Sequence, residues 1–286
     1  MGIGLVLEGG ALRGLFTSGI VDVLLENNIK FDAAVGVSAG VVFGTNLKSC
    51  QKGRGIRYNL KYSKNWRYKS FRSLLFTGDL FGADFCYHKL PKELDLFDAK
   101  TFREDPMDFY AVVTDVENGK PFYKRLTDGE FKDLEWVRAS ASMPLASRIV
   151  KIDGGKYLDG GISDSIPLRF MEEKGFKKNI VVLTQPLGYE KKPYKIMPLV
   201  KTFYHKYPNL VKEVGNRHEM YNEQTAYVLS REKEGACFVI RPEEALNIKP
   251  TETDPNELQR VYDHGVMVGN KLLNDIRDFI SLPQSF

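Results

Sequence analysis

The chain has 286 residues, of which 43% are hydrophobic, so it can bury a sizeable core as one large domain or two modest ones. Its formal net charge of +4 is too small to imply a nucleic-acid partner by itself. The three cysteines are widely spaced and form no Cys-x-x-Cys pair, which favours a reducing, cytoplasmic compartment. We expect no secretory signal and no membrane span, because no basic leader is visible and no apolar stretch approaches the roughly 18 residues that cross a bilayer.

The first elements alternate between strand and helix. Residues 3–7 form an apolar run of strand length, and apolar residues then recur at helical spacing up to residues 27–28. Residues 33–37 predict a second short buried strand, and an apolar pattern that suits a helix resumes at Val41. This order predicts parallel strands joined by a right-handed crossover. Ligands of open α/β sheets bind at the carboxyl ends of such strands.

Ser38 directly follows the second predicted strand, and Gly36 and Gly40 flank it. Strand, serine and helix in that order are typical of a nucleophile elbow, a sharp and strained turn that exposes the serine hydroxyl. Glycine suits both flanking positions, because a side chain there would collide with the neighbouring strand and helix. Ser38 is therefore the candidate nucleophile.

The first strand is followed by a glycine-rich loop, EGGALRG at residues 8–14. One interpretation is a plain tight turn. A phosphate cradle is disfavoured, because the Gly-x-Gly-x-x-Gly spacing and the Lys-Ser/Thr pair of a P-loop are missing. We favour a third interpretation, an oxyanion hole whose backbone N–H groups face Ser38, because it gives both glycine motifs one purpose. Arg13 suits equally a surface helix start and a charge that steadies the loop or an anionic head group.

A basic and aromatic segment begins at Lys48 and ends at Arg72, with nine basic residues and no acidic one. One interpretation is a solvated helix whose aromatic side chains pack on the sheet. The other is peripheral contact of residues 48–72 with anionic lipid, aromatics lying at head-group depth. Single-stranded nucleic acid is bound by a similar mixture of residues, but nothing else in the chain supports that partner.

The middle of the chain predicts two β-hairpins, with turns at residues 118–119 and 154–155. A short helix over residues 134–142 lies between them and ends before Pro144. The second hairpin ends in Asp159 followed by two glycines, which on local grounds is simply a turn.

A serine hydroxyl is a poor nucleophile unless a base takes its proton. None of the four histidines has a local motif that marks it as that base: His88, His205, His218 and His264. A standard α/β-hydrolase also places several strands ahead of its elbow, whereas Ser38 arrives after a single earlier strand. The sequence therefore argues against the standard histidine triad.

Three motifs in order resemble the patatin-like phospholipase family: EGGALRG at 8–14, GVSAG at 36–40 and DGG at 159–161. The segment ASASMP at 139–144 also resembles the family's small-residue segment before its Asp-Gly motif. The resemblance spans residues 3–185. It implies a three-layer α/β/α fold with a mostly parallel central sheet, and a Ser–Asp dyad without histidine.

The same resemblance implies roles for individual residues. Ser38 is the nucleophile and Asp159 the base. The oxyanion loop consists of Gly9, Gly10, Ala11 and Arg13. The elbow and motif glycines are Gly14, Gly36, Gly40, Gly160 and Gly161. Family members hydrolyse acyl esters of phospholipids, lysophospholipids and other lipids, so the expected partner is a lipid or acyl-ester substrate. No cofactor and no metal is expected, since no His/Asp/Glu cluster has ligand spacing.

Two positions depart from the family pattern. Glu8 stands where the family often has Asp, and we expect it to cap the strand end with little consequence. Ala11 stands where the family often has Gly. Its amide can donate if its φ is negative, but a left-handed conformation costs about 1 kcal/mol. The Gly10 amide is therefore the stronger candidate donor.

The last hundred residues predict, in order, a strand, a surface loop, a helix, a strand and a long helix: 179–184, 190–207, 210–229, 236–240 and 254–280. The surface loop is a candidate for part of a lid or a lipid-facing rim. No linker isolates a second domain. We therefore expect residues 1–286 to form a single domain, with the catalytic motifs within 3–185 and residues 186–286 packed on it as a C-terminal helical extension.

The sequence thus predicts a serine acyl hydrolase of lipid esters, located in the cytoplasm or peripherally at the inner membrane surface. The alternative is a catalytically silent lipid- or membrane-binding protein that keeps the fold. A nucleotide-binding βαβ protein would need an acid near the end of the second strand to hold a ribose, and Ser38 stands there instead.

Overall fold

The computed structural model describes residues 2–282. Its eight strands form one mixed sheet: β1 (Ile3–Leu7), β2 (Ala33–Val37), β3 (Asp108–Asp115), β4 (Pro121–Leu126), β5 (Val150–Ile152), β6 (Gly155–Asp159), β7 (Lys178–Val182) and β8 (Cys237–Ile240). The helices are α1 (Gly14–Glu26), α2 (Ala39–Lys48), α3 (Arg54–Tyr62), α4 (Phe71–Thr77), α5 (Ala99–Glu104), α6 (Phe131–Ser140), α7 (Leu168–Glu173), α8 (Met197–Phe203), α9 (Pro208–Lys233), α10 (Pro255–Lys271) and α11 (Leu273–Ser281). Shorter helical segments are a 3₁₀ turn at Ala11–Arg13, a π-helical segment at Phe85–Leu94 and a 3₁₀ turn at Gly160–Ile162.

Five strands run parallel in the order β3-β2-β1-β7-β8, and β4, β5 and β6 are antiparallel to their neighbours. In the centre, Leu7 at the end of β1 pairs with Gly36 of β2 and with Val182 of β7. The carboxyl ends of β1 and β2 therefore lie side by side. The mostly parallel α/β architecture predicted from the motif order is confirmed.

The central strands are apolar because both of their faces are covered. Side chains alternate between the faces, so Leu5 and Leu7 of β1 pack into one core with α1 and α10, whereas Val6 packs into a second core with α7 and α9. Helices on both faces of the sheet thus give the three layers.

The register of β3 brings two distant segments together. β4 occupies one edge of β3 from Phe109 to Thr114. The strands β2 and β6 must therefore share the opposite edge: Val37 pairs with Val112, and Asp159 pairs with the next residue, Val113. The ends of β2 and β6 consequently meet at one point of the sheet.

The C-terminal third packs on these layers. The close contact of α10 with α1 depends on two glycines, because a Cβ on Gly265 would lie 2.1 Å from the carbonyl oxygen of Phe16, and one on Gly19 would lie 2.4 Å from that of Tyr262. The strand β8 extends the sheet beside β7. A single domain over residues 1–286 stays a prediction.

Two predicted elements were wrong. The predicted surface loop at 190–207 contains α8, which starts with Pro198 in its first turn and buries Val200. The long C-terminal helix is two helices, because the chain leaves helical geometry at Leu272 before α11 begins.

Candidate active site

Ser38 occupies a strained turn between β2 and α2. Its φ of 54° and ψ of −120° are backbone angles that L-residues rarely adopt. The flanking glycines make the turn possible: a Cβ on Gly36 would lie 2.7 Å from the Val41 nitrogen, and one on Gly40 would lie 2.3 Å from the Leu7 oxygen. The local geometry is that of a nucleophile elbow.

The segment at the end of α6 holds both this elbow and the turn after β6. The Ser140 hydroxyl accepts from the Ser38 N–H at 2.9 Å and donates to the Val112 carbonyl at 2.6 Å. Two residues later, the Ser142 carbonyl accepts from the Asp159 N–H at 2.8 Å. The small-residue segment noted in the sequence is therefore a brace between the two corners.

Asp159 ends β6 and is buried beside Ser38. One carboxyl oxygen, Oδ1, accepts from the Gly161 N–H at 2.8 Å, and the other, Oδ2, is buried without a hydrogen-bond partner among the described residues. Burial raises the pKa of this carboxyl above its ordinary value, and the positive charge of Arg217 and the nearby Ser38 hydroxyl oppose the rise. A buried carboxyl with one free oxygen beside a serine can accept a proton.

The glycine-rich loop passes next to Ser38, since a Cβ on Gly9 would lie 2.9 Å from that of Ser38. Among residues 2–282, the N–H groups of Gly9, Gly10 and Ala11 donate to no other group. Ala11 has a φ of 48°, so it adopts the left-handed conformation whose cost the sequence left open.

Glu8 anchors the loop and does more than cap the strand. Its Oε2 accepts from the Thr184 N–H at 2.6 Å, and its Oε1 accepts from the Tyr221 hydroxyl at 2.8 Å. The Thr184 hydroxyl also donates to the Gly9 carbonyl at 3.1 Å. Glu8 thus joins the end of β1 to Thr184 and to α9, and the expectation that Glu in place of Asp has little consequence stays a prediction.

The remaining motif glycines allow close packing around these corners. A Cβ on Gly14 would lie 2.6 Å from that of Ala39, and one on Gly160 would lie 2.2 Å from the Val112 oxygen. Gly161 supplies the N–H that Asp159 accepts.

Ser38, Asp159 and the glycine-rich loop line one cavity of about 510 Å³. Aromatic and aliphatic side chains supply much of the remaining wall, including Phe43, Tyr87 and Leu90. None of the four histidines, all of which the structure describes, lines this cavity. The Nε2 of His88, for example, lies 3.1 Å from the Oε1 of Glu135, and the His88 ring stacks on that of Phe131.

Three partly buried cations also line the cavity: Arg13, Lys191 and Arg217. Arg217 of α9 donates from Nε to the Gly161 carbonyl at 2.6 Å. Burial, together with the positive charges of Arg217 and Arg13, lowers the pKa of Lys191 to about 8. Sequence analysis missed the role of Lys191 and Arg217 because neither belongs to a motif. The only signal was the proposed rim at 190–207, which includes Lys191.

Much of the basic segment at 48–72 faces inward. Lys48 is buried and donates to the Asp105 and Met107 carbonyls at 2.5 Å, and Arg54 is buried beside Asp95. The hydrophobic side chains exposed nearby belong to α4, which begins at the end of that segment: Phe71, Leu75 and Phe76.

Within the described part of the chain, no helix is long and apolar enough to cross a membrane. Over the same residues, no three or more His, Cys, Asp or Glu side chains gather as metal ligands would.

Comparison with known proteins gives matches to two family models. The model described as patatin-like phospholipase matches residues 5–171, more than half of the chain. A second, described as a domain of unknown function, matches residues 207–281.

Curated relatives cover a little under two thirds of the chain. An uncharacterized protein of Escherichia coli K12, YjjU, is 29% identical over 190 residues, which are 64% of this chain and 52% of the relative. Lysophospholipase NTE1 of Debaryomyces hansenii is 28% identical over 188 residues, 63% of this chain and 12% of the relative. The match thus spans about half the length of the first relative and a small part of the second.

A solved structure, VipD from Legionella pneumophila, aligns with a TM-score of 0.48 and 14% identity, covering 96% of this chain and 67% of that one. The family match carries more weight because it contains the elbow, the glycine-rich loop and the Asp-Gly-Gly turn. The chain therefore belongs to the patatin-like phospholipase family, a family of lipid hydrolases.

Proposed function

We propose that this protein is a serine acyl hydrolase that cleaves lipid acyl esters with a Ser38–Asp159 dyad through an acyl-enzyme. The observation that carries the proposal is the meeting of β2 and β6 on one edge of β3, which sets Ser38 and Asp159 side by side in a cavity. The names of the NTE1 relatives support a lysophospholipase-type reaction.

The proposed first half-reaction forms the acyl-enzyme. The Ser38 Oγ attacks the ester carbonyl carbon while its proton passes to Oδ2 of Asp159, which no other described group occupies. Asp159 then protonates the departing alcohol as the carbon–oxygen bond breaks. In the second half, Asp159 takes a proton from water, the hydroxide attacks the acyl-enzyme, and Ser38 leaves with that proton as the fatty acid is released.

The carbonyl oxygen becomes negative in both steps, and the proposal assigns its stabilisation to the N–H groups of Gly9, Gly10 and Ala11. These groups donate to nothing else among residues 2–282. One such donor is worth about 3 kcal/mol of transition-state stabilisation in other hydrolases. The left-handed conformation of Ala11 has a backbone cost, so the Gly10 amide stays the stronger candidate donor, and Arg13 adds a positive charge at the cavity.

The proposed acyl-binding surface is the apolar wall of the cavity. Val42 and Phe43 come from α2, directly after the elbow, and Tyr87, Leu90 and Pro91 come from the π-helical segment. Burial of hydrocarbon against such side chains contributes about 0.8 kcal/mol per methylene group. Longer chains should therefore bind better until the cavity is filled.

We also propose peripheral contact with an anionic membrane, through α4 and not through the whole of residues 48–72. Phe71, Leu75 and Phe76 are 72%, 80% and 67% exposed. Arg67 and Arg72 flank this apolar face and lie over the Trp66 ring at 5.6 and 4.5 Å. Exposed apolar side chains beside cations suit a bilayer with anionic lipid. A cytoplasmic location stays a prediction, which the three free cysteines support.

Hydrolysis of a panel of lipid esters tests the enzymatic proposal. Wild type should release fatty acid, and Ser38→Ala and Asp159→Asn should each lose that activity. The four single histidine-to-alanine variants are the matched controls and should stay active: His88→Ala, His205→Ala, His218→Ala and His264→Ala. Loss of activity in one of them would indicate a histidine triad, and an inactive wild type that still binds lipid would favour the catalytically silent alternative.

A vesicle sedimentation assay tests the membrane proposal. Replacement of Phe71, Leu75 and Phe76 by serine should weaken binding to vesicles that contain phosphatidylserine. Met267→Ser, which removes an exposed hydrophobic side chain of α10, should bind as wild type does. Equal binding by the triple variant and wild type would contradict this assignment.

A further inference from the structure

The cavity has two kinds of wall, supplied by different parts of the chain. Residues of α2, α3 and the π-helical segment contribute aromatic and aliphatic side chains. Arg13 comes from the 3₁₀ turn Ala11–Arg13. Lys191 comes from the segment between β7 and α8, and Arg217 comes from α9. Arg217 and Lys191 both act electrostatically on Asp159, so these cations lie on the Ser38–Asp159 side of the cavity.

Lys191 and Arg217 are held in place by hydrogen bonds, and all three cations lack carboxylate partners among the described residues. Lys191 is fixed through its backbone, since its N–H donates to the Asn222 Oδ1 at 2.8 Å and its carbonyl accepts from the Asn222 Nδ2 at 3.1 Å. Its Nζ lies 4.1 Å from the centre of the Tyr221 ring. The Nε of Arg13 is buried with no hydrogen-bond partner in the described part of the chain.

Among residues 2–282, none of these three side chains lies within 4.0 Å of a carboxylate oxygen. Glu8 forms no ion pair with them, because its oxygens accept from Thr184 and Tyr221, although its negative charge still raises the pKa of Lys191. Apart from Arg54, which is paired with Asp95, the charged side chains that line the cavity are three cations and two carboxylates, Glu8 and Asp159, which leaves a surplus of one positive charge. Unpaired positive charge on partly buried side chains favours an anionic ligand.

We propose that Arg13, Lys191 and Arg217 form a subsite for an anionic oxygen group on the alcohol half of the ester, most simply a phosphate monoester. The subsite makes the preferred substrate an acyl ester with an anionic head. This inference rests on the acyl-hydrolase function proposed above. Arg217 and Lys191 lie outside residues 5–171, so two of the three subsite residues come from the part of the chain that follows the patatin-like match.

A choline head group fits this subsite less well. A quaternary ammonium is bound best over exposed aromatic faces. Here the Lys191 ammonium already lies over Tyr221, and it also lies 5.9 Å from the centre of the Tyr189 ring. The positive charge of choline would be repelled by Lys191, Arg217 and Arg13. Phosphomonoester substrates should therefore be preferred over phosphocholine substrates of the same chain length.

A binding experiment separates this inference from the catalytic proposal. Calorimetric titration of Ser38→Ala uses two ether lipids that cannot be hydrolysed: 1-O-octylglycerol 3-phosphate and uncharged 1-O-octylglycerol. The phosphate should bind at least about 10-fold more tightly, because even one charge-assisted hydrogen bond to it is worth about a factor of ten. In the Ser38→Ala background, Lys191→Gln should reduce this advantage, and Lys192→Gln, which changes an exposed lysine next in sequence, should keep it.

A kinetic arm uses wild type with 1-decanoylglycerol 3-phosphate, its phosphocholine counterpart and 1-decanoylglycerol. The ratio of kcat/KM for the phosphate over the uncharged ester should be about 10, and Lys191→Gln and Arg217→Lys should each lower it. Equal affinity for the two ether lipids, or an advantage that Lys191→Gln leaves intact, would overturn the anionic subsite. Preferential phosphate binding without hydrolysis of any ester would support the subsite and contradict the hydrolase.

Discussion

The Ser38 N–H donates to the Ser140 hydroxyl at 2.9 Å, across 102 positions of sequence. The same hydroxyl donates to Val112, the residue of β3 that lies beside the end of β2. One serine side chain therefore ties the strained elbow to the strand that also receives Asp159.

Ser140→Ala should lower the free energy of unfolding by about 1–3 kcal/mol, because it leaves the buried Ser38 N–H and Val112 carbonyl unpaired. Ester hydrolysis should fall as well, since the elbow loses its brace. Urea denaturation and initial rates measure the two effects. Ser142→Ala is the matched control: its hydroxyl donates only to the Arg138 carbonyl, and the backbone contact to Asp159 survives. Indistinguishable stability and activity of the two variants would contradict the bracing role.

Ala11→Gly and Ala11→Val test the left-handed conformation of the oxyanion loop. Glycine removes a cost of about 1 kcal/mol, but its greater freedom in the unfolded chain offsets about 0.4–1 kcal/mol. Stability should therefore change little and activity should persist. Valine is β-branched and poorly tolerated at positive φ, so Ala11→Val should lose more than about 1 kcal/mol of stability and most activity. Thermal unfolding and initial rates of both variants test this, and a fully stable and active Ala11→Val would contradict it.

The pH profile of kcat/KM tests Asp159 as the base. Asp159 must be ionised to accept a proton, and burial raises its pKa above the ordinary 3.8. Activity should therefore fall as the pH drops through a value above 3.8. Arg217→Gln removes the charge that opposes this rise, so the acid limb should move to higher pH.

Arg217→Lys and Lys212→Gln complete that experiment. Arg217→Lys keeps the charge but loses the guanidinium contact with Gly161, so the limb should move less than in Arg217→Gln. Lys212 is exposed on the same helix, and its substitution should leave the limb in place. An acid limb that stays fixed in Arg217→Gln would show that Arg217 does not act on the base.

The preference for an anionic head should weaken as the pH rises through about 8, where Lys191 loses its charge. The charged groups that act on Lys191 are Arg217, Glu8, Arg13 and Asp159. The ratio of kcat/KM for phosphate over uncharged ester should therefore fall between pH 7 and pH 9 in wild type, about one unit on either side of that pKa. In Lys191→Gln the ratio should be low and flat. A wild-type ratio that stays constant across this range would argue against Lys191 as the titrating group.

Local patterns predicted the parts of the fold that depend on neighbouring residues. The strands β1 and β2 and the elbow after β2 follow from apolar runs and glycine spacing. The sign of φ at Ala11 did not follow from local sequence, because it depends on how the loop packs, and the preceding Gly9 and Gly10 lie against Ser38 and Thr184.

The cationic side of the cavity was also beyond local patterns. Lys191 and Arg217 look like ordinary surface charges in sequence, and only the packing of α9 and its Asn222 brings them to Asp159. For the segment at 48–72, the sequence indicated a helix but not which of its charged side chains are buried. Its helical spacing was visible, but the burial of Arg54 depends on Asp95, which lies 41 residues further along the chain.

Intact-mass measurement after treatment with a fluorophosphonate tests the central claim most directly. Wild type should gain one phosphonyl adduct, located by peptide mapping at Ser38, because the Ser38 oxygen displaces fluoride from phosphorus while Asp159 takes its proton. Ser38→Ala should gain none, and Asp159→Asn should react far more slowly. An adduct at another residue, or an Asp159→Asn variant labelled as fast as wild type, would contradict the proposed dyad.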